Sequence, residues 1–133
     1  MRCIWCSNPE SMKPDGGKEY NIEEILGECI SAKPMFFSGG GVTFTGGEAT
    51  VQYDELLNLL KLLKSEDIHT CIETNGTHPK LFEMADYIDY LIMNFKHFDS
   101  DMHKKYTGVG NEVIKYNYEK ICKSGRRLHI FWV

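Results

Sequence analysis

The chain has 133 residues, 42% hydrophobic and 26% charged, enough for one buried core and too few for two ordinary domains, so a single domain over 1–133 is expected. A formal charge of -4 argues against a general nucleic-acid surface, because phosphate affinity needs clustered Lys and Arg, and the one basic cluster, Lys123 with Arg126 and Arg127, is small. No apolar run approaches the ~20 residues of a membrane span and no secretory pattern opens the chain, so a soluble cytoplasmic protein with no membrane partner is expected.

The elements read as follows in chain order. Asn21 followed by Glu24 forms a capping-box pattern, and Ile22, Ile25, Leu26, Cys29 and Ile30 recur at helical spacing, which predicts a helix over 22–32 stopping near Pro34. Residues 42–45 are β-branched and aromatic between glycines and read as a short buried strand. Residues 52–65 place Leu56, Leu59, Leu60 and Leu63 on one face, with Asp54, Asn58, Lys61 and Ser65 opposite, the pattern of an amphipathic helix. A strand over 68–74 ends at the Asn75-Gly76 turn. A short helix over 81–85 and an apolar strand over 87–94 follow, then a polar connection. Asn111 reads as the cap of a helix through Lys123 carried by Val113, Ile114, Tyr118 and Ile121, which Gly125 closes before a last strand over 128–133. This alternation predicts an α/β fold of parallel βα units with right-handed crossovers.

In such a sheet, ligands bind beyond the carboxyl ends of the strands. The first strand delivers Gly46, Gly47 and Glu48 there, the second Glu73, Thr74 and Asn75, the third Asn94 and Lys96. Carboxylates, a hydroxyl and an ammonium converging at one rim suit a zwitterionic ligand with both an amine and a carboxylate. Gly46-Gly47 is also compatible with a plain strand-to-helix turn, Glu48 then favouring the helix N-terminus electrostatically.

Five cysteines make an odd set. Cys29, Cys71 and Cys122 read as small buried hydrophobes. Cys3 and Cys6 share a loop at ligand spacing, which by itself serves zinc, thiol redox chemistry or a cluster. His97 reads as a solvated surface residue, and His69, His78, His103 and His129 show no ligand spacing to one another.

Cys3-Ile4-Trp5-Cys6-Ser7-Asn8-Pro9, with Gly46-Gly47-Glu48, resembles the radical S-adenosylmethionine superfamily, and within it the glycyl-radical-enzyme activating enzymes. Asp15-Gly16-Gly17-Lys18-Glu19, Ile68-His69-Thr70-Cys71, Thr74-Asn75-Gly76 and Tyr106-Thr107-Gly108-Val109-Gly110-Asn111 resemble activating-enzyme segments in the same order. The resemblance implies a (β/α) TIM-like barrel, here partial and incomplete at both termini. It also implies a [4Fe–4S] cluster on a Cys-x-x-x-Cys-x-aromatic-Cys loop, of which Cys3, Trp5 and Cys6 match the last positions. S-adenosyl-L-methionine would bind the open iron, with Trp5 by the adenine, the amine at Gly46, Gly47 and Glu48, and Glu73, Thr74, Asn94 and Lys96 near its carboxylate and sulfonium or a monovalent cation. Asn8 would lie close to the site.

The activity implied is reductive cleavage of S-adenosylmethionine and abstraction of hydrogen from a glycine of a partner glycyl radical enzyme such as pyruvate formate-lyase, with flavodoxin or ferredoxin as electron donor. The chain departs from the family pattern in three ways. The loop's first cysteine would precede Met1, Glu73 and Asn94 stand where the family has Asp, and the family's arginine near Phe131 is not visible. An inactive fragment or degenerate paralogue, and a small zinc or thiol module, are the alternatives.

Overall fold

The structure is a computed structural model that describes residues 1–13 and 17–125, and the backbone alone of 129–132. Asp15 and Gly16, the basic pair Arg126 and Arg127, and the outer residues Leu128 and Val133 of the last predicted strand lie outside the described residues. The same holds for the side chains of His129 and Phe131.

The helices are α1 (Ile22–Ala32), α2 (Tyr53–Ser65), α3 (Leu81–Met84), α4 (Ser100–Thr107) and α5 (Glu112–Lys123), and the strands are β1 (Gly41–Phe44), β2 (His69–Thr74), β3 (Tyr90–Met93) and β4 (His129–Trp132). The strands form one sheet in the order β1-β2-β3-β4, each pair parallel. The parallel βα units are those the sequence pattern predicts, and the open sheet is an arc of a (β/α) barrel rather than a closed one, the partial barrel that the family resemblance implies.

Local chemistry accounts for the helix boundaries. At the start of α1, Asn21 and Glu24 form the reciprocal capping box, and the Asn21 N–H donates to the Glu24 carboxylate at 3.0 Å. The leucine stripe of α2 is buried along its whole length and joins two apolar clusters. Leu56 and Leu60 pack with Ile72, Leu91, Met93 and Ile114, while Leu59 and Leu63 pack with Cys29 and Ile68. In β2 the buried positions alternate at Thr70, Ile72 and Thr74, so Cys71 and Glu73 take the other face of the sheet.

Four expectations are corrected. The polar connection after β3 contains α4, whose Asp99 cap accepts from the Met102 N–H at 2.9 Å. Its buried positions are His103 and Thr107, so no apolar periodicity announces it. Asn111 precedes α5 but makes no side-chain cap; its amide donates instead to the His97 and Phe98 carbonyls, at 2.9 and 2.7 Å. Val113 is exposed, and Asn117 takes the inward place between Ile114 and Ile121. Cys122 is exposed, because it lies beside rather than on that inward face.

Candidate functional site

The carboxyl ends of β1, β2 and β3 open onto a cleft of about 360 Å³ whose walls include Cys3, Trp5, Cys6, Gly46, Gly47, Glu48, Glu73, Thr74, Asn75, Asn94 and Lys96. The cysteines of the N-terminal loop and the glycine-glutamate corner therefore line the same space. Asn8 is the one candidate that does not line it; its carbonyl accepts from the Ser11 N–H and hydroxyl, holding the turn over Pro9–Met12.

Glu48 is the hub of the first wall. Its Oε1 accepts from the Thr50 N–H at 3.1 Å and from the Thr50 and Thr74 hydroxyls, each at 2.6 Å. Its Oε2 accepts from the Asn75 N–H at 2.7 Å. With three donors on Oε1 and one on Oε2, the acceptor capacity that remains for a ligand is on Oε2. Asn75 in turn accepts the Thr77 N–H at 3.0 Å, and Thr74 Oγ1 accepts the Gly76 N–H at 3.1 Å, so one carboxylate organises the whole turn after β2.

The preceding glycines are required for local reasons. Gly46 has φ +123°, which side chains rarely adopt, and a Cβ on Gly47 would stand 2.9 Å from the Ser11 carbonyl oxygen. The close approach at Gly47 is thus to the chain's own N-terminal segment, and it closes the cysteine loop against β1.

A second array crosses the three strand tips. The Thr45 hydroxyl donates to Glu73 Oε2 at 3.1 Å, the Asn94 amide donates to Glu73 Oε1 at 2.9 Å, and Lys96 Nζ donates to Asn94 Oδ1 at 2.9 Å. Negative and positive ends are held apart by one amide, so the rim carries a built dipole with the ammonium on the β3 side.

The cysteine loop docks on α4. The Arg2 N–H donates to the Thr107 carbonyl at 2.8 Å and the Ile4 N–H to the Tyr106 carbonyl at 3.0 Å, satisfying acceptors that the end of a helix leaves free. The Trp5 ring packs on Tyr106 with centroids 5.3 Å apart, and His97 reaches the same tyrosine at 6.4 Å. His97 is half-buried rather than solvated, and its Nδ1 accepts the Asp99 N–H at 3.0 Å. Cys3 and Cys6 are both half-buried free thiols.

The donor set fits a thiolate-bound centre in part. Two cysteines line the cleft, while among the described residues no group of three or more His, Cys, Asp or Glu stands together as a complete metal site.

Titration of three groups near the cleft is displaced. Burial pushes the Cys71 thiol up, partly opposed by a hydrogen bond from Thr43 and reinforced by the Glu73 charge. Burial and the Lys80 charge hold the His78 imidazole below its ordinary value. Tyr53 stacks on His78 at 4.3 Å, and burial followed by the Glu83 carboxylate pushes its phenol up to about 12.

The Radical SAM superfamily model matches residues 1–133. The chain is 42% identical over 112 residues to the pyruvate formate-lyase-activating enzyme of Clostridium pasteurianum, covering 83% of this chain and 47% of that protein. It is 34% identical over 132 residues to the pyruvate formate-lyase 1-activating enzyme of Escherichia coli K12, covering 92% of this chain and 54% of that one. The chain spans about half the length of the curated relatives it matches.

Among solved structures, a domain of pyruvate-formate lyase-activating enzyme from Bacteroides vulgatus aligns with TM-score 0.57 at 28% identity, over 71% of this chain and 60% of that one. Streptococcus suis SuiB, solved with its precursor peptide SuiA, aligns with TM-score 0.76 at 19% identity over 97% of this chain and 29% of that one, a likeness of fold. No helix among the described residues is long and apolar enough to cross a membrane.

Proposed function

The chain belongs to the Radical SAM superfamily, and from that premise we propose that it acts as a glycyl-radical-enzyme activating enzyme, an oxidoreductase acting on a partner such as pyruvate formate-lyase. The observation that carries the reading is the single cleft shared by the Cys3–Cys6 loop, the Gly46-Gly47-Glu48 corner and the tips of β2 and β3. Its two ends differ in chemistry, thiols at one and a carboxylate-amide-ammonium rim at the other, which matches a ligand that meets a metal centre while carrying an amine and a carboxylate of its own.

In this reading Cys3 and Cys6 are two of the thiolate ligands of a [4Fe–4S] cluster; soft anionic sulfur suits iron. A third thiolate is needed that the described residues do not supply. The cluster, when bound, supplies the electron that cleaves S-adenosylmethionine, and flavodoxin or ferredoxin is the class of donor that would reduce it.

Glu48 Oε2 receives the amine, and Lys96, pointed by Asn94, receives the carboxylate. Trp5, braced by Tyr106, forms the aromatic wall for the adenine, while Asn8 acts through the turn that carries Ser11 to Gly47. Glu73 and Thr74 hold the floor between these poles. The protein's work is to bind, orient and exclude water.

Calorimetric titration of the chain with S-adenosylmethionine tests the ligand. Losing a charge-assisted hydrogen bond of about 1.5–3 kcal/mol lowers affinity by roughly ten- to a hundredfold in Glu48→Gln. The partner is tested by electron paramagnetic resonance of pyruvate formate-lyase incubated with the protein reconstituted with iron and sulfide. No heat of binding, or no glycyl radical signal, removes the corresponding half of the proposal.

A further inference from the structure

Helix α5 carries two asparagines that are fully buried, Asn111 at its start and Asn117 within it. Each uses both N–H groups of one carboxamide on two carbonyls of a loop belonging to another element. Asn111 Nδ2 donates to the His97 and Phe98 carbonyls at 2.9 and 2.7 Å, and Asn117 Nδ2 donates to the Gly76 and His78 carbonyls at 2.9 and 2.8 Å. In both, the side-chain oxygen is buried with no hydrogen-bond partner.

A buried acceptor left unpaired is unfavourable, so generic packing would place an apolar residue at these positions, as it does at Ile114 and Ile121. What the carboxamide alone offers is two donors on one rigid plane, the complement of two converging carbonyls. Leucine would offer none, and aspartate would set a carboxylate against both oxygens.

The two clamped loops are the ones that carry the cleft. The turn gripped by Asn117 begins at Asn75, whose N–H holds Glu48, and the segment gripped by Asn111 begins next to Lys96. We infer that Asn111 and Asn117 are positioning residues: α5, a helix that does not line the cleft, sets the two strand-tip loops independently, the loop after β3 from Asn111 and the loop after β2 from Asn117. The assignment rests on the function proposed above only for the identity of the ligand.

Hydrogen exchange of the whole chain separates positioning from bulk stability. In Asn117→Ala, amides 75–78 are expected to exchange about tenfold faster or more, the equivalent of one buried hydrogen bond, while 97–99 change less than threefold. In Asn111→Ala the selectivity reverses. Ile121→Val, which loosens α5 without touching either loop, is expected to shift both loops alike. Should an alanine variant fail to fold, the serine variant, which keeps one donor, makes the same comparison.

Each alanine variant is also expected to weaken S-adenosylmethionine binding by about tenfold, with Ile121→Val near wild type. Equal acceleration of both loops in all three variants overturns the inference. Loop-selective exchange in a chain that binds no S-adenosylmethionine keeps the inference and removes the functional reading.

Discussion

Replacing Glu48 separates two jobs that the structure gives to one carboxylate. In Glu48→Ala, four donors lose their acceptor. The Thr50 and Thr74 hydroxyls can rotate, but the Thr50 and Asn75 N–H groups are fixed by the backbone, and their residues are only 2% and 7% exposed. A stranded buried N–H costs about 1–3 kcal/mol, and because the vacated space opens on the cleft and admits water, the lower end applies, giving about 2 kcal/mol for the pair.

Glu48→Gln restores an acceptor for one set of donors. Its amide N–H₂ then faces either the Asn75 N–H or the Thr50 N–H, so about half the loss remains. Both variants remove the negative charge, so under the proposed function both are expected to lower S-adenosylmethionine affinity. Urea unfolding midpoints at unchanged slope give the first quantity and calorimetry the second. Alanine and glutamine variants both within ~0.5 kcal/mol of wild type would refute the hub, and an unchanged affinity would take Glu48 out of the ligand site.

Other outcomes follow from the same geometry. His78 is held below its ordinary value in the folded chain, so the unfolded chain takes the proton first as pH falls through about 6.5; the stability it contributes is present above that pH and lost below it. His78→Phe, which keeps the Tyr53 stack, is expected to flatten that part of the urea-midpoint profile between pH 7.5 and 5. Iodoacetamide with mass spectrometry is expected to label exposed Cys122 first, half-buried Cys3 and Cys6 next, and Cys29 and Cys71 last, because burial raises the pKa of those last two thiols. Thr107→Val removes the hydroxyl that donates to the His103 and Val109 carbonyls and loosens the helix end that anchors Arg2 and Ile4. It is expected to speed labelling of Cys3 and Cys6 several-fold against Cys122 as an internal reference; an unchanged ratio would show that the loop is held by other means.

What the sequence disclosed and what it hid divide along physical lines. The helices α1 and α2 were legible because a capping box and a leucine stripe are local, periodic signals, and residues at the tips of β1, β2 and β3 were legible because parallel strands bring their carboxyl ends to one rim. The helix α4 was hidden because its inward residues, His103 and Thr107, are polar: His103 Nδ1 and the Thr107 hydroxyl bond to one another and to the Val109 carbonyl, while His103 Nε2 is buried without a partner. A cap at Asp99 and a glycine at Gly108 bracketed it and were the available signal. Asn117 was hidden for the converse reason: it interrupts an apolar stripe, and a buried asparagine between Ile114 and Ile121 is the kind of polar intrusion that needs a partner far away in sequence.

These two hidden features govern the cleft from outside it. The N-terminal loop gains its position from carbonyls at the end of α4, and the loops after β2 and β3 gain theirs from carboxamides on α5, while Ser11 closes the loop onto Gly47. The thiol end and the rim end of the cleft are therefore set by separate hydrogen bonds reaching from the one crossover between β3 and β4. A disturbance of α4 should move the sulfurs without moving Glu48, and a disturbance at Asn117 should move the Glu48 turn without moving the sulfurs.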